Sequence, residues 1–366
     1  MSDSKCVGFI GLGLIGGSIA KAIHKYFPDW KIIAYNRNPD VTRQALQDGI
    51  IQGVASDIDS SFSICDIIFL CAPVSTNASY LPKIKEIRKE GSLITDVGSV
   101  KTEMHEAVKA AGLSHCFIGG HPMAGSEKTG YTNSGYRLIE NAYYILTPSE
   151  DVDLFMISEY SELVTALGAI PMILSYEEHD YITATISHLP HVIASTLVNL
   201  VENLDNEEEH MKAIAAGGFK DITRIASSSP VMWQQICMTN SKNISKVLDA
   251  YIRSLIQFRV EIDNKNSEEL YHLFDEAREY RNSLPITSSG PIKKAYDIYV
   301  DLADEAGGIA AIATLLATNG INIKNIGIIH NREFEEGVLR IEFYEEESSV
   351  KSAKLLRARN YTVTER

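Results

Sequence analysis

The stretch that decides the fold of the first half of the chain is Cys6-Val-Gly-Phe-Ile-Gly11-Leu-Gly13-Leu-Ile-Gly16. A short apolar run is followed at once by glycines in the spacing G-x-G-x-x-G, and an apolar helical pattern begins at residue 15. In such a unit the glycines allow a tight turn, close approach of the backbone to a pyrophosphate, and close helix–strand packing. The alternative is a glycine-rich turn that binds nothing. We predict a dinucleotide site with its phosphates at the helix N-terminus, made by Gly11, Leu12, Gly13, Leu14, Ile15 and Gly16.

Alternating strand and helix patterns extend this unit through the first half of the chain. Buried strands are predicted at residues 6–10, 31–35, 66–71, 92–96 and 116–118, with helical periodicity at 15–26, 41–47, 77–89 and 101–111. Strands that alternate with helices form βαβ units, so residues 1–175 are predicted to be an α/β Rossmann-type domain with a mostly parallel sheet. Two later strands, 143–147 and 170–174, are expected to join the same sheet.

The second half of the chain predicts two further domains. Residues 176–284 are almost entirely compatible with helix, and we expect an all-α domain that mediates dimerisation, although simple packing would explain the pattern as well. The run Ser283-Leu-Pro-Ile-Thr-Ser-Ser-Gly-Pro291 contains two prolines and a glycine, which indicates a linker over residues 285–295. Residues 296–366 then show the order β-α-β-β-α-β, which predicts a C-terminal α+β ferredoxin-like domain.

Composition excludes several classes of protein. The 366 residues include 34 basic and 48 acidic side chains, a net charge of −14, which argues against nucleic acid as a partner. No apolar run approaches the roughly 18 residues that a membrane span requires, so no membrane is expected. The five cysteines are scattered and never form C-x-x-C, which favours a reducing cytoplasm and gives no sign of a metal site.

The end of the second predicted strand bears on the choice of cofactor. The acidic residue that usually binds the ribose 2′-hydroxyl is replaced by Asn36, and Arg37 follows it. An arginine here can accommodate a 2′-phosphate, whereas an asparagine can still hydrogen-bond a ribose. Both NAD and NADP therefore remain open. Ala72 and Pro73, which follow the strand at 66–71, are also assigned to the cofactor site.

Three further segments place polar residues where a core would not hold them. The first is Asp96-Val-Gly-Ser99-Val-Lys101, at the carboxyl end of a strand, where ligands bind in open α/β sheets. The second is the loop Gly119-Gly-His121-Pro-Met-Ala-Gly-Ser126-Glu127-Lys-Thr-Gly130. The third, in the helical half, comprises Ser187-His188-Leu-Pro-His191, Gly217-Gly-Phe-Lys220-Asp221-Ile-Thr-Arg224 and Trp233.

With the motifs D-x-G-S-x-K, H-P-M-A-G-S-E, S-H-L-P-H and G-F-K-D-x-T-R in this order, the chain resembles the prephenate dehydrogenases that carry a C-terminal ACT domain. The resemblance covers essentially the whole chain. It implies oxidative decarboxylation of prephenate to 4-hydroxyphenylpyruvate in L-tyrosine biosynthesis, with NAD or NADP as oxidant, by a homodimer. Arogenate (cyclohexadienyl) dehydrogenase is the sister alternative. A generic hydroxyacid dehydrogenase would not need H-P-M-A-G-S-E, and a non-catalytic nucleotide and amino-acid sensor would bind without turnover.

The resemblance also implies roles for individual residues. His121 corresponds to the catalytic histidine, which suits removal of a hydroxyl proton near neutral pH, and Ser99 to a serine that bridges histidine, hydroxyl and nicotinamide. Because the substrate carries two carboxylates and the protein is acidic, Arg224 is expected to anchor one of them. The other substrate-binding residues that the resemblance implies are His188, His191, Ser126, Glu127, Lys220 and Trp233. Trp233 is expected to close the pocket, either of its own subunit or of the partner subunit.

Each of these residues also has a structural explanation that the sequence leaves open. A single histidine in a loop is often a surface residue, and an arginine at a helix end often forms a salt bridge. Trp233 could anchor a core. His188 and His191 have a spacing compatible with metal, but Pro190 disturbs the helix and no third ligand is near in sequence, so metal is not expected.

In the C-terminal segment, the turn Asp304-Glu-Ala-Gly307-Gly308-Ile309 and Asn322 correspond to the small-molecule site of ACT domains. The hypothesis is feedback inhibition by L-tyrosine bound near Asp304, Gly308, Ile309 and Asn322. The alternative is a docking or dimer-stabilising module without a ligand.

Overall fold

The computed structural model describes residues 4–125, 128–284, 296–302, 307–329 and 337–365. The chain divides into two units, Met1–Gly290 and Pro291–Arg366. The predicted Rossmann-type and helical segments thus belong to one unit, and the predicted C-terminal domain is the other.

A five-stranded parallel sheet lies at the centre of the first unit. Its strands are β1 (Cys6–Ile10), β2 (Lys31–Tyr35), β3 (Gly53–Val54), β4 (Ile67–Leu70) and β5 (Leu93–Asp96), in the spatial order β3-β2-β1-β4-β5. The connecting helices are α1 (Leu14–Tyr26), α2 (Pro39–Gln47), α3 (Val74–Ile87) and α4 (Thr102–Ala111). β4 and β5 are buried along their whole length because the sheet is covered on both faces. The strand order reverses between β1 and β4, which opens a ligand crevice at their carboxyl ends and confirms the Rossmann-type prediction.

The following strands form a separate sheet. Its members are β6 (Ile118–Pro122), β7 (Tyr143–Pro148) and β8 (Ile170–Ile173), with α5 (Leu154–Ala166) between the last two. The prediction that residues 143–147 and 170–174 extend the first sheet is therefore wrong. A single bridge between Ile94 and Phe117 joins β5 to the start of β6. Beyond it the Gly120 N–H donates to the side-chain Oδ1 of Asp96 (3.3 Å), so side-chain bonding replaces the strand ladder.

Helices make up the rest of the first unit that the structure describes. They are α6 (Tyr176–Thr183), α7 (Leu189–Leu204), α8 (His210–Ile214), α9 (Gly217–Thr223), α10 (Pro230–Thr239), α11 (Ser241–Asp263) and α12 (Ser267–Ser283). A π-helical segment, Ala184–His188, connects α6 to α7. Pro190 explains it, because a proline has no N–H to bond the carbonyl four residues back and its ring clashes with that carbonyl. Each turn of this segment contains about one residue more than a turn of α-helix, and the S-H-L-P-H motif lies where the segment meets α7.

The continuous helix Tyr176–Leu204 has 29 residues and a mean hydropathy of 1.2, enough for a membrane span on length and composition alone. The sequence expectation that no such stretch exists is thus wrong. Two polar residues of this helix, His179 and Asp180, are fully buried and bonded to each other. One helix of this kind is weak evidence for a membrane, because the core helix of a soluble protein can have the same length and composition.

The second unit has an antiparallel sheet in the order β10-β11-β9-β12. Its elements are β9 (Tyr296–Leu302), α13 (Gly308–Thr318), β10 (Ile323–Ile329), β11 (Gly337–Phe343), α14 (Glu346–Arg357) and β12 (Val363–Glu365). Alternate residues of β9 and β11, such as Ile298 and Ile341, pack with Ile312 of α13 and Leu356 of α14 in one core. The β-α-β-β-α-β order predicted from the sequence is confirmed in the described residues.

A buried ion pair holds the crevice end of β5. The ammonium of Lys101 and the carboxylate of Asp96 are hydrogen-bonded, and both side chains have no exposed surface. The Lys101 ammonium also donates to the carbonyl of Gly120 on β6 (2.9 Å). Burial lowers the pKa of Lys101, and the charge of Asp96 opposes that shift. This pair therefore fixes the turn after β5 and the path of β6 together.

We expect Lys101→Met to lower the free energy of unfolding by about 3–5 kcal/mol, because it leaves the Asp96 carboxylate buried without a cation. The matched control is Lys83→Met, which removes an exposed pair with Asp57 (2.6 Å) and should cost far less, because solvent screens an exposed pair. Urea denaturation followed by circular dichroism measures both. Equal losses in the two variants would contradict a stabilising role for the buried pair.

Candidate functional site

The glycine-rich turn between β1 and α1 has two kinds of glycine. Gly11 has a φ of 101°, a conformation that favours glycine. A Cβ on Gly16 would lie 2.5 Å from the carbonyl oxygen of Gly11 and 2.9 Å from Cβ of Cys71, so Gly16 permits close packing. A Cβ on Gly13, in contrast, would have no atom within 4 Å. Gly13 is the N-cap of α1 and gives no side-chain cap, so the first N–H groups of the helix, from Leu14 and Ile15 onward, are open to an anion.

The side chain of Asn36 is occupied by the protein itself. Its Oδ1 accepts from the backbone N–H of Leu12 (3.0 Å), and its Nδ2 donates to the carbonyl of Asn38 (3.0 Å). Asn36 thus fastens the glycine-rich turn to the end of β2, which differs from the predicted contact with a ribose. Arg37, next along the chain, is exposed.

A cavity of about 820 Å³ lies beside this turn, between the parallel sheet and α10. The residues that line it on the sheet side include Arg37, Ala72, Pro73 and Ser99, four of the residues predicted to touch cofactor or substrate. Met232, Gln235 and Thr239 of α10 line the other side. A volume of this size suits an extended small molecule, and its position at the strand-order reversal fits a dinucleotide.

Ser99 lies in a turn that Asp96 shapes. The carboxylate of Asp96 accepts from the N–H of Gly98 (2.9 Å) as well as from Lys101. The side chain of Ser99 is thereby presented at the carboxyl end of β5, on the wall of the cavity.

His121, on β6, begins a chain of hydrogen bonds that crosses to the helical half. Its Nδ1 lies 2.8 Å from Nε2 of His179, and Nδ1 of His179 lies 2.7 Å from Oδ1 of Asp180. The Asp180 carboxylate also accepts from the N–H groups of Lys101 and Thr102 (both 2.8 Å) and from the Thr102 hydroxyl (2.6 Å). The chain therefore ends at the positive N-terminus of α4.

Burial controls the protonation of this chain. Desolvation, with the nearby charges of His179, Lys101 and His188, holds the pKa of His121 well below its usual value. Burial also lowers the pKa of His179, although the bond to Asp180 opposes that shift. Burial would raise the pKa of Asp180, but hydrogen bonds from His179 and Thr102 outweigh it and lower the pKa. At neutral pH the two imidazoles are therefore neutral and the carboxylate is charged.

The S-H-L-P-H motif places two histidines around Trp233. His188 is buried, lies edge-on to the Trp233 ring and has its pKa lowered by burial to about 4. Nδ2 of Asn240 donates to His188 Nδ1 (3.2 Å) and to the carbonyl of Asp180 (2.8 Å). The ring of His191 stacks on Trp233 with a centroid distance of 3.6 Å. Trp233 thus packs on histidines of its own chain, whereas the sequence left a partner subunit open.

Two basic residues of the predicted substrate site, Arg224 and Lys220, lie on or directly after α9. Burial of His191 lowers its pKa, and the positive charge of Arg224 lowers it further, so the two side chains are near each other. Lys220, on α9, is exposed. Ser126 and Glu127 lie outside the described residues.

In the second unit, Gly307 has a φ of 97° and α13 begins at Gly308. A Cβ on Gly308 would lie 3.0 Å from a methyl group of Leu302. Ile309, in the first turn of α13, is 39% exposed, and Asn322 is exposed before β10. Asp304 lies outside the described residues.

Sequence reasoning missed His179, Asp180 and Asn240. His179 and Asp180 form an adjacent titratable pair near the start of a predicted helix, which is an available but weak signal. Their partners His121 and Thr102 are 58 and 78 residues away, and no pattern along the chain indicates those contacts.

The two kinds of glycine give a matched pair of variants. Gly16→Ala should destabilise the fold by about 1–3 kcal/mol, because its Cβ would overlap backbone and Cys71. Gly13→Ala should leave stability nearly unchanged and weaken dinucleotide binding, since its Cβ points into open space at the helix N-terminus. Thermal unfolding and fluorescence titration with NADH and NADPH measure the two effects. Unchanged affinity in Gly13→Ala would contradict the assignment of the phosphate site.

Two protein-family models match the chain. One describes the nucleotide-binding domain of prephenate dehydrogenase and covers residues 19–172, and the other describes its dimerization domain and covers residues 175–276. The prephenate dehydrogenase of Bacillus subtilis is 38% identical over 351 residues, 95% of each chain.

Solved structures agree with these matches. A prephenate dehydrogenase from Aquifex aeolicus, in complex with hydroxyphenyl propionate and NAD+, is 33% identical with a TM-score of 0.74 and covers 78% of this chain and 100% of its own. Synechocystis arogenate dehydrogenase is 27% identical with a TM-score of 0.70, over 76% of this chain and 100% of its own. With the family models, the near full-length relative and the site geometry in agreement, this chain belongs to the prephenate dehydrogenase family.

Proposed function

We propose that the chain catalyses the oxidative decarboxylation of prephenate to 4-hydroxyphenylpyruvate with a nicotinamide dinucleotide as oxidant. The observation that carries the proposal is the hydrogen-bonded chain from His121 through His179 to Asp180, in which burial holds the pKa of His121 well below its usual value, in a protein of this family. The open helix N-terminus at Gly13 and the cavity beside it fit a dinucleotide.

The reaction needs two acceptors at the hydroxyl-bearing ring carbon of the substrate, one for the hydroxyl proton and one for the hydride. When bound, the oxidised nicotinamide supplies the acceptor for the hydride that leaves the hydroxyl-bearing ring carbon. His121 takes the hydroxyl proton, and Ser99, on the cavity wall, orients the hydroxyl. As the ring carboxylate leaves as carbon dioxide, the electrons of the broken C–C bond complete the aromatic ring. His121 then returns its proton to the phenol oxygen, so no net proton is consumed.

Binding a dianionic substrate in a protein of net charge −14 requires local cations. Arg224 is our candidate anchor for one carboxylate, and Lys220, exposed on α9, is our candidate for a second positive charge. We assign His188, His191 and Trp233, whose rings pack together, to substrate binding as well. Ser126 and Glu127, which lie outside the described residues, are kept as proposed substrate-binding residues because they belong to the H-P-M-A-G-S-E motif.

The cofactor proposal includes both NAD and NADP. The polar atoms of Asn36 are bonded within the protein, so Asn36 offers a ribose less than an aspartate would. Arg37 lines the cavity and is available for a 2′-phosphate. Arg37 should accordingly favour NADP.

Arogenate dehydrogenase is the second candidate activity. The observation that favours it is the similarity to the arogenate dehydrogenase of Synechocystis, a chain of the same fold. Arogenate carries an ammonium group on its side chain where prephenate carries a keto oxygen. We assign His191 and Trp233 to the part of the site that binds this side chain. A non-catalytic sensor would bind these ligands without converting them.

Absorbance of reduced nicotinamide, measured with prephenate and with arogenate, each with NAD and with NADP, tests the proposal. We expect turnover with prephenate, and His121→Asn should lower kcat by about 10²–10⁴-fold with cofactor affinity nearly intact. Turnover with arogenate alone would show that the chain is an arogenate dehydrogenase. No turnover in any of the four assays would favour a non-catalytic sensor. A fully active His121→Asn variant would show that His121 is not the base.

We also propose a homodimer formed through the helical domain, residues 176–284, in the cytoplasm, with residues 1–175 as the dinucleotide domain. None of the described residues of α12 is buried, and Phe274 and Tyr280 are 66% and 71% exposed. Large apolar side chains exposed on the same helix indicate a surface that binds a partner. The match to a dimerization-domain model supports a second copy of this chain.

For residues 296–366, connected through the linker at 285–295, we propose an ACT domain that binds L-tyrosine. Support comes from the ferredoxin-like strand order and from the glycine turn at Gly307 and Gly308, where backbone can approach a ligand closely. Asp304, Ile309 and Asn322 surround that turn in the sequence. The alternative is a module that stabilises the dimer without a ligand.

Truncation after Pro285 tests this regulatory role. We expect the intact chain to be inhibited by L-tyrosine, and the truncated chain to retain turnover while losing the response, because the effector site is removed and the catalytic unit is kept. Steady-state assays with a tyrosine titration, with L-phenylalanine as control ligand, measure it. An intact chain that shows full activity and no response to tyrosine would contradict the proposal.

A further inference from the structure

We propose that His179 and Asp180 are positioning residues that fix one tautomer of His121, with the proton on Nδ1 and the lone pair on Nε2. The inference rests on the proposed function only where it names the substrate hydroxyl as the proton source. The tautomer itself follows from hydrogen bonds within the protein.

The direction of the bonds is set from the Asp180 end. A carboxylate can only accept hydrogen bonds, and this one already accepts from Lys101 N, Thr102 N and Thr102 Oγ1. These donors at the N-terminus of α4 keep Asp180 ionised. Nδ1 of His179, 2.7 Å from Asp180 Oδ1, must therefore carry a proton and donate it.

The next bond follows from the neutrality of His179. Burial lowers the pKa of His179, so the ring carries one proton, and Asp180 binds it at Nδ1. The Nε2 of His179 then has a lone pair and accepts. His121 Nδ1, 2.8 Å away, must donate, which leaves Nε2 of His121 as the acceptor.

This arrangement matters because the other tautomer cannot act as a base. With the proton on Nε2, His121 would present an N–H to the substrate hydroxyl and could not remove its proton. The chain to Asp180 also stabilises the imidazolium that forms when His121 takes a proton. It offsets the nearby positive charge of Lys101, which acts against that cation.

His188 provides a contrast within the same site. The amide of Asn240 donates to His188 Nδ1, so the proton of a neutral His188 lies on Nε2. The orientation of that amide is fixed because Asn240 Nδ2 also donates to the Asp180 carbonyl and Oδ1 accepts from Asn243 (2.8 Å). The two site histidines thus hold opposite tautomers, and each is set by protein groups behind it.

The test compares His179→Phe with His179→Gln in the full-length chain. Phenylalanine keeps a ring but removes both hydrogen bonds, whereas the Gln carbonyl can still accept from His121 Nδ1. We expect His179→Phe to lower kcat by about 10²-fold or more with little change in KM, and His179→Gln to recover much of the loss. A purely structural role would make both variants similar. The control is His105→Phe, which removes a buried histidine bonded to Thr147 (2.9 Å) and Ser149 (3.2 Å) outside this chain.

Nitrogen-15 NMR of histidine-labelled protein reads the tautomer without turnover, with the His121 signal assigned by its loss in His121→Asn. We expect a protonated Nδ1 and an unprotonated Nε2 in the parent chain and in His179→Gln, and a gain of Nε2–H in His179→Phe. A parent chain with the proton on Nε2 of His121, or His179→Phe with unchanged tautomer and kcat, would overturn the proposal. If no substrate is turned over, the proposed function fails while the tautomer result still stands.

Discussion

The carboxylate of Asp180 is the constraint on which the arrangement of the site depends. Asp180 belongs to the helical half, yet it accepts the N–H groups of Lys101 and Thr102 at the start of α4 in the dinucleotide half. No side chain of α4 itself caps that helix, so the first N–H groups would otherwise need another partner. One residue therefore caps a helix of one half and holds the first turns of the other against it.

The ion pair of Asp96 and Lys101 acts on the same segment from the opposite side. Lys101 binds Asp96 through its ammonium and Asp180 through its backbone N–H, so both carboxylates are linked to one residue. Burying a charged pair is costly, and a hydrophobic replacement would often be as stable. What the pair adds is position. It fixes the turn after β5, which carries Ser99 on the wall of the cavity, and it holds Gly120, the residue before His121, against that turn.

The sequence alone was sufficient for the parts of this protein whose signals are local. The Gly11–Gly16 spacing and the alternation of strands and helices predict the Rossmann-type unit. Pro190 predicts a disturbed helix near His188, and the structure shows that the disturbance is a π segment. The second sheet was not predictable, because the bonds that hold β6 where it leaves the first sheet, from Gly120 to Asp96 and from Lys101 to Gly120, join residues far apart along the chain. The His121–His179–Asp180 chain was missed for the same reason, since its bonds join residues that are far apart in sequence.

Burial serves the reaction and opposes binding at once. Removing water from His121 lowers its pKa and keeps it neutral, and therefore ready to accept a proton, throughout the neutral range; activity should fall only as the pH drops toward that lowered pKa. The same dry surroundings make it costly to bring in a dianion. The chain separates these demands in space: neutral imidazoles and the Trp233 ring line the interior, while Arg224 and Lys220 lie on exposed positions of the following helical turns. A cation placed beside His121 would lower its basicity further, so the exposed positions of Arg224 and Lys220, the proposed carboxylate anchors, suit a site in which His121 is the proposed base.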